Sequence, residues 1–191
     1  MDSASPLRML ARVAFAALAL FALAGARTIP WSVDRDASRI ELSVEAFGSS
    51  YSGRFADWSG DIVFDPIDPA RTRAAIIVRS RSLAMSPAMI SRRATGPAFL
   101  DAARHPEIRF DLRSLEPLGG DRYTARAIVT IRGVTRPATF PVDLRVTGDR
   151  AHLTGAFVLN RADFGIGTSG PWNRLVGRQV TVRVSLWARR V

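Results

Sequence analysis

Apolar and polar residues alternate along much of the chain. Near the start of this pattern, for example, Ile40, Leu42 and Val44 are separated by Glu41 and Ser43. Alternation with a period of two points successive side chains to opposite faces of a β-strand, so that one face is buried and the other meets water. The pattern therefore predicts an antiparallel all-β fold of about eight strands. The segments that carry it are 31–33 with 39–47, 51–64, 73–82, 107–115, 122–132, 137–147, 151–160 and 178–190.

The segment near residues 86–105 breaks the alternation. Its small and apolar residues predict one or two short helices, interrupted at Gly96-Pro97. Turn signals such as Gly119-Gly120-Asp121 and Gly148-Asp149 separate the strands elsewhere. Strands with one apolar face must stack into a sandwich or close into a barrel. A barrel of about eight strands holds its own side chains or one small ligand, and a helical insert could plug or cover one end of it.

The first part of the chain, residues 1–26, has the pattern of a secretory signal peptide. Two arginines precede an unbroken apolar run over 13–24, and Ala24-Gly25-Ala26 supplies the small residues of a cleavage site. The run is shorter than the roughly 20 residues that cross a bilayer, although an uncleaved anchor is the alternative reading. We therefore expect the signal to be cleaved and residues 27–191 to form one exported domain in the periplasm.

The chain carries a formal net charge of +10 and contains no lysine. A basic surface can attract polyanions, so a secreted module that binds polyanions is one alternative function. Such a module needs exposed aromatic residues among the basic ones, for which Trp58, Trp172 and Trp187 are the candidates. The arginines are scattered along the strands and not gathered in one run, which favours a solvated surface and no specific nucleic-acid partner.

The chain offers few residues for catalysis. It has no cysteine, and its two histidines, His105 and His152, lie outside any spacing typical of metal ligands. No Gly-x-Ser-x-Gly nucleophile motif is present. Asp57, Asp61 and Asp65 are close in sequence but adjoin turns, which explains them without acid–base chemistry. We therefore expect no catalytic site, no metal and no cofactor.

Two blocks of the sequence carry turn signals: Arg132-Gly133-Val134-Thr135-Arg136-Pro137, and the segment that runs from Asn160 to Gly167. They resemble the turn blocks of the YceI-like family of secreted lipid-binding proteins. Further segments resemble the family in the same order along the chain, so the likeness covers about residues 29 to 190. These segments are Trp31-Ser32-Val33-Asp34, Gly53-Arg54-Phe55, Gly60-Asp61-Ile62-Val63-Phe64, Phe99-Leu100-Asp101 and His105-Pro106-Glu107.

The resemblance implies an extended antiparallel β-barrel, lipocalin-like in outline, with the short helical insert near residues 86–105. It also implies a carrier or store of a long isoprenoid lipid, either polyprenyl or isoprenoid-quinone, held in an apolar tunnel without catalysis. The bound lipid is then the ligand, and transient contact with a membrane surface is expected. An eight-stranded outer-membrane barrel stays open as an alternative, and so does the oligomeric state, with a homodimer as one option.

The apolar strand faces supply the candidate binding residues, because burying a hydrocarbon tail contributes about 25 cal/mol per Å² without polar contacts. Arg92 and Arg93 are candidates for contact with a phosphate or quinone headgroup. Asn160, Arg161 and Asp163 are expected to fix a turn, in which the arginine can pair with a carboxylate. The predicted tunnel lining is Ile62, Phe64, Ile76, Val78, Met85, Met89, Phe99, Phe110, Val129, Ile131, Phe140 and Val142.

Overall fold

The computed structural model describes residues 29–65 and 68–191, so the predicted signal peptide lies outside the described residues. Within them, eight strands close into an antiparallel barrel and two more extend its wall. The all-β barrel with a short helical insert is therefore confirmed. The strands are β1 (Ile29–Ala46), β2 (Ser49–Phe55), β3 (Trp58–Phe64), β4 (Arg73–Arg79), β5 (Leu83–Met85), β6 (Glu107–Gly119), β7 (Arg122–Ile131), β8 (Val134–Thr147), β9 (Arg150–Asn160) and β10 (Val176–Arg190), and the helices are α1 (Ala88–Ala94) and α2 (Trp172–Leu175).

The long first strand closes the barrel. β1 pairs with β10 along most of its length, while its beginning pairs with β3 and its end pairs with β2. The register shifts between Asp34 and Arg39. At this irregularity the Oγ of Ser38 donates to the carbonyl oxygen of Asp34 over 2.5 Å and accepts from the backbone N–H of Trp187 over 2.9 Å. The bulge lets one strand serve both the closed barrel and the extension formed by β2 and β5.

The predicted single strand over 51–64 is wrong, because β2 and β3 are separate strands. The chain turns a corner at Ala56 and Asp57, whose backbone groups bond to Ser82 and Arg79 over 3.1 Å and 2.9 Å. Phe55 and Trp58 are both buried, so the alternation changes phase across the corner. No glycine or proline marks this break in the sequence.

The insert covers one end of the barrel. α1 follows β5, the last strand of the sheet, and the Oγ of Ser91 accepts from the backbone N–H of Met85 over 2.7 Å and donates to its carbonyl oxygen over 3.0 Å. The backbone N–H of Gly167 donates to the carbonyl oxygen of Ala98 over 2.7 Å. The insert is therefore tied both to β5 and to the connection between β9 and β10.

The two ends of the barrel differ in how tightly they are packed. At one end, called here the closed end, Leu115 and Ala125 are each 1% exposed. The other end, called the mouth, is formed by the β1–β2 turn, the insert and α2, and Phe47 is 52% exposed there. In the described part of the chain, no helix has both the length and the apolar character needed to span a bilayer.

Candidate functional site

An apolar cavity of about 290 Å³ runs inside the barrel. All eight barrel strands line it, together with β2, β5, α1 and α2. Its volume lies just below the range typical of small-molecule sites, which is roughly 300–1,000 Å³. Such a surface suits a hydrocarbon chain better than a polar ligand, because a polar ligand would lose its hydration without gaining partners.

Nearly all of the predicted lining residues lie on the cavity wall. The exception is Met89, which is 58% exposed on the outer side of α1. The helix turns Ile90 and Ala94 inward instead, one helical turn apart on the same face. The prediction of Met89 as lining is therefore wrong. The predicted residues on the wall are Ile62, Phe64, Ile76, Val78, Met85, Phe99, Phe110, Val129, Ile131, Phe140 and Val142.

The prediction missed much of the wall that β1, β9 and β10 contribute. Phe157 of β9 stacks on Phe140 with ring centroids 4.3 Å apart. The centroid of the Phe110 ring lies 6.1 Å from that of Phe140 and 6.4 Å from that of Phe157. The period-two pattern could have identified the missed residues, because they occupy the inward positions of their strands. They include Leu42, Val44, Leu153, Phe157, Leu159, Val180, Val182, Val184 and Leu186.

Three aromatic rings from separate segments meet at the mouth. Trp172 lies edge-on to Phe47 and to Phe99, with centroids 6.4 Å and 5.7 Å apart. The guanidinium carbon of Arg93 lies 4.5 Å from the centroid of the Trp172 ring, a cation–π contact, and Arg93 lines the cavity. Arg92 does not line it and lies with Met89 beside a shallow outer depression. Arg93 borders this depression as well, so of the two arginines proposed for a headgroup only Arg93 also borders the cavity.

The buried side chain of Arg161 links the connection between β9 and β10 to the start of β10, beside the mouth. Its side chain is 2% exposed, and its guanidinium donates to the carbonyl oxygens of Gly177 at 2.9 Å, Ile166 at 2.6 Å, Gly167 at 2.8 Å and Val176 at 2.6 Å. Burial lowers the pKa of Arg161, and the positive charge of Arg178 lowers it further. Arg161 does not take the carboxylate partner that was possible from the sequence, because the hydrogen bonds that it makes go to backbone carbonyls.

The neighbouring Asn160 forms the turn that the sequence predicts. Its Oδ1 accepts from the backbone N–H of Ala162 and its Nδ2 donates to the Oδ1 of Asp163, both over 3.1 Å. A short 3₁₀ turn follows over Arg161–Phe164. These bonds place Arg161 at the start of the turn, from where its side chain reaches the first residues of β10.

The three candidate tryptophans do not lie together on the outer wall of the barrel. Trp58 is only 4% exposed, Trp172 belongs to the mouth, and Trp187 stacks on His152 with ring centroids 3.9 Å apart. The aromatic platform expected of a polyanion-binding module is therefore not formed by these residues. Among the described residues, no group of three or more His, Cys, Asp or Glu side chains could hold a metal ion.

The sequence matches the model of the YceI-like domain over residues 31–188. This protein belongs to the YceI-like domain family. The resemblance stated from its turn blocks is thus confirmed. A UPF0312 protein of Pseudomonas syringae pv. tomato is 25% identical and covers 85% of this chain and 90% of its own length. A UPF0312 protein of Pseudomonas aeruginosa is 27% identical over 78% of this chain and 82% of its own length.

Solved structures share this YceI-like fold. BcnA of Burkholderia cenocepacia superposes with a TM-score of 0.77 at 24% identity, over 82% of this chain and 99% of that one. A polyisoprenoid binding domain from Saccharophagus degradans, implicated in plant cell wall breakdown, gives a TM-score of 0.69 at 15% identity, over 85% and 99% of the two chains. At these identities the likeness establishes the barrel architecture alone.

Proposed function

We propose that this protein binds a long isoprenoid lipid, of polyprenyl or isoprenoid-quinone type, in the barrel cavity. In this proposal it carries or stores the lipid in the periplasm after export, without catalysing a reaction. The observation that carries the proposal is the apolar cavity of about 290 Å³, which reaches from Trp172 at the mouth to Leu115 at the closed end. The description of the Saccharophagus degradans domain as polyisoprenoid-binding supports the choice of ligand class.

The energetics favour a flexible hydrocarbon tail. Each Å² of apolar surface removed from water contributes about 25 cal/mol, so a long tail gains affinity from its length alone. The walls are already formed by hydrogen-bonded strands, so the binding site does not have to be ordered when the lipid enters. Met85 adds a flexible thioether to the wall, which can adapt to a methyl-branched chain.

We also propose that the mouth makes transient contact with a membrane surface, where lipid would enter and leave. Phe47 and Leu175 are 52% and 43% exposed there, and the backbone N–H of Phe47 donates to the carbonyl oxygen of Leu175 over 3.0 Å. Arg93 and Arg174 are exposed on the same rim. Exposed apolar side chains beside arginines are the combination that binds anionic bilayer surfaces.

A barrel that spans a membrane would point its apolar side chains outward and not into its interior. Such a barrel presents an apolar band to lipid. Here the inward positions are apolar, while exposed arginines such as Arg109 and Arg183 lie on the outer face of their strands. This orientation favours a carrier that holds lipid inside over a barrel that is surrounded by lipid.

The test combines lipid extraction with a pair of matched variants. Mature protein purified from a bacterial host would be extracted with organic solvent, and we expect mass spectrometry to recover a prenyl lipid. Val182→Trp fills the cavity from β10, whereas Val158→Trp adds the same ring to the outer face of β9, where Val158 is 55% exposed. We expect Val182→Trp to lose most of the recovered lipid and Val158→Trp to retain it.

Two results would contradict the proposal. The first is a wild-type protein that yields no prenyl lipid and takes up neither added quinone nor added polyprenol. The second is a folded Val182→Trp variant that carries as much lipid as Val158→Trp, since a ligand in the cavity cannot share its volume with the new ring.

A further inference from the structure

The inward side chains of the barrel differ in how much of their surface they leave to the cavity. On β7 and β8 the lining side chains are packed against their neighbours, and Val129, Phe140 and Val142 are 3%, 6% and 3% exposed. Along the middle of β9 and β10 the lining side chains stay partly accessible. Because they point into a closed barrel, that accessible surface faces the cavity. Free space for a ligand therefore runs along β9 and β10.

Sheet register divides this accessible strip of the wall, called here the groove, into successive pairs of residues. Side chains that lie directly opposite each other on neighbouring antiparallel strands share a face of the sheet and contact each other. Each pair therefore marks one depth in the cavity. From the mouth toward the closed end, the pairs of the groove are Leu159 with Val180, Phe157 with Val182, Gly155 with Val184 and Leu153 with Leu186.

The groove ends at Leu153 and Leu186, called here the floor pair. The next pair toward the closed end is Ala151 with Ala188, which are only 7% and 9% exposed. Ala151 and Ala188 belong to the packed cluster of the closed end, and Leu153 packs against that cluster. The floor pair is therefore the deepest pair on β9 and β10 with surface left for a ligand.

The length of the groove can be expressed in isoprene units. Val180 and Leu186 are six residues apart, which corresponds to about 20 Å along an antiparallel strand. Three covalent bonds of an extended backbone span about 3.8 Å, so an isoprene unit, which adds four bonds to a chain, advances about 5 Å by the same geometry. The groove therefore offers length for about four isoprene units.

We propose that Leu153 and Leu186 form the floor of the lipid site and set the length of tail that the cavity buries, at about four isoprene units. This inference rests on the proposed function and adds the chain length that the site selects. The tail end lies against the floor pair, because the accessible wall is apolar and would offer a polar head no partner in exchange for its hydration. Units beyond the fourth stay at the mouth in contact with water, so they add little affinity.

The experiment measures affinity against tail length on delipidated protein. The ligands are prenols of two to six isoprene units, from geraniol and farnesol upward, and displacement of a fluorescent anilinonaphthalene sulfonate probe gives their dissociation constants. For the wild type, the constant should fall at least about tenfold with each unit up to the fourth, and by less than about threefold with each later unit. The tail length at which this change occurs is called the break point.

Three variants place the same tryptophan ring at different positions. Leu186→Trp raises the floor, so the break point should move to about three units or fewer, while geraniol should bind within about twofold of the wild type. Val182→Trp fills the groove two pairs nearer the mouth and should weaken the binding of every prenol, geraniol included. Val158→Trp adds the ring to the outer face of β9 and should leave the whole series unchanged.

A change in the opposite direction covers the case in which the Leu186→Trp ring is too large for the fold. Leu186→Ala lowers the floor by removing part of a side chain, so the break point should move to five units or more. Circular dichroism and urea denaturation establish that each variant is folded before its affinities are compared.

The outcomes separate this inference from the proposed function. If the wild type binds no prenol of any length, the lipid-carrier proposal fails, and this inference fails with it. If the wild type binds prenols but its affinity rises equally with every unit through the sixth, the carrier proposal stands and this inference is overturned. The same conclusion follows if the folded Leu186 variants change the affinity for all tail lengths by one common factor.

Discussion

The Nη2 of Arg161 donates to the carbonyl oxygen of Val176 over 2.6 Å, although fifteen positions separate the two residues. The same guanidinium bonds to Ile166 and Gly167 in the loop and to Gly177 at the start of β10. One side chain therefore fixes the whole connection between β9 and β10, which carries Trp172 to the mouth.

Replacing Arg161 by lysine should destabilise the barrel strongly. A lysine keeps the charge, but its single ammonium group cannot span the separate carbonyls that a planar guanidinium reaches. We expect Arg161→Lys to lower the free energy of unfolding by about 2–4 kcal/mol, measured by urea denaturation. Arg113→Lys on the exposed face of β6 is the control and should change it by less than about 0.5 kcal/mol. Equal effects of the two changes would mean that the hydrogen bonds of the Arg161 guanidinium contribute little to the free energy of unfolding.

Adding a methyl group at Gly167 should disturb the mouth more than adding one at Gly165. Both glycines have positive φ, +58° and +66°, so alanine strains the backbone at each by about 1–2 kcal/mol. A Cβ at Gly167 would also lie 2.9 Å from the Cε1 of Phe99, whereas nothing lies within 4 Å of one at Gly165. Urea denaturation should show an additional loss of about 1–3 kcal/mol for Gly167→Ala. Equal losses would show that Phe99 moves aside freely.

Binding to membranes should depend on the apolar side chains of the rim. Leu175→Ser removes an exposed apolar group next to Phe47, and we expect it to reduce co-sedimentation with vesicles rich in phosphatidylglycerol by about threefold to tenfold. Val158→Ser removes an even more exposed side chain from the outer wall and should have no effect. If both changes weaken binding equally, the mouth is not the contact surface.

The His152 side chain should make stability depend on pH. Burial, with a smaller contribution from the positive charge of Arg145, lowers the pKa of His152, whose ring bonds to the Oγ of Ser185 over 2.9 Å. The folded state therefore protonates His152 less readily than the unfolded state does. The contribution of the neutral His152 ring to stability is complete above about pH 6.5 and is lost as the pH falls through the folded pKa.

The measurement is urea denaturation at about pH 7.5 and about pH 5, on either side of the ordinary histidine pKa. We expect wild-type stability to fall more over this interval than the stability of His152→Gln, which cannot take up the proton. The same fall in both proteins would show that other groups cause the pH dependence.

The alternating pattern was sufficient to predict the wall of the barrel, because inward and outward positions differ along each strand. Phe140 and Val142 lie inside as their spacing indicates. The corner at Ala56 and Asp57 was not predictable in the same way, since partners distant in sequence hold it. Pattern alone likewise could not choose between Met89 and its neighbour Ile90, because that choice depends on how the helix is rotated against β5.

The chemistry of the polar groups was harder to predict than the positions of the apolar ones. Arginine usually pairs with a carboxylate, so the carbonyl partners of Arg161 become visible only when the loop is folded around it. Among the described residues, the Nε1 of Trp31 and the Oγ1 of Thr72 lack hydrogen-bond partners, and the sequence gives no sign of this, since Trp31 looks like an ordinary member of an alternating segment and Thr72 directly precedes one. The role of a polar group depends on its hydrogen-bond partner, and the fold decides which partner comes within reach.

The bond between Ser91 and Met85 has a consequence for how copies of this protein can meet. An exposed strand edge invites another chain to add a strand, the usual start of aggregation and of shared sheets. Here β5, where the sheet ends, is only three residues long, and the Ser91 hydroxyl already occupies both backbone groups of Met85. A homodimer, if this protein forms one, would therefore have to be built from side chains of the rim or outer wall and not from a continuous sheet across β5.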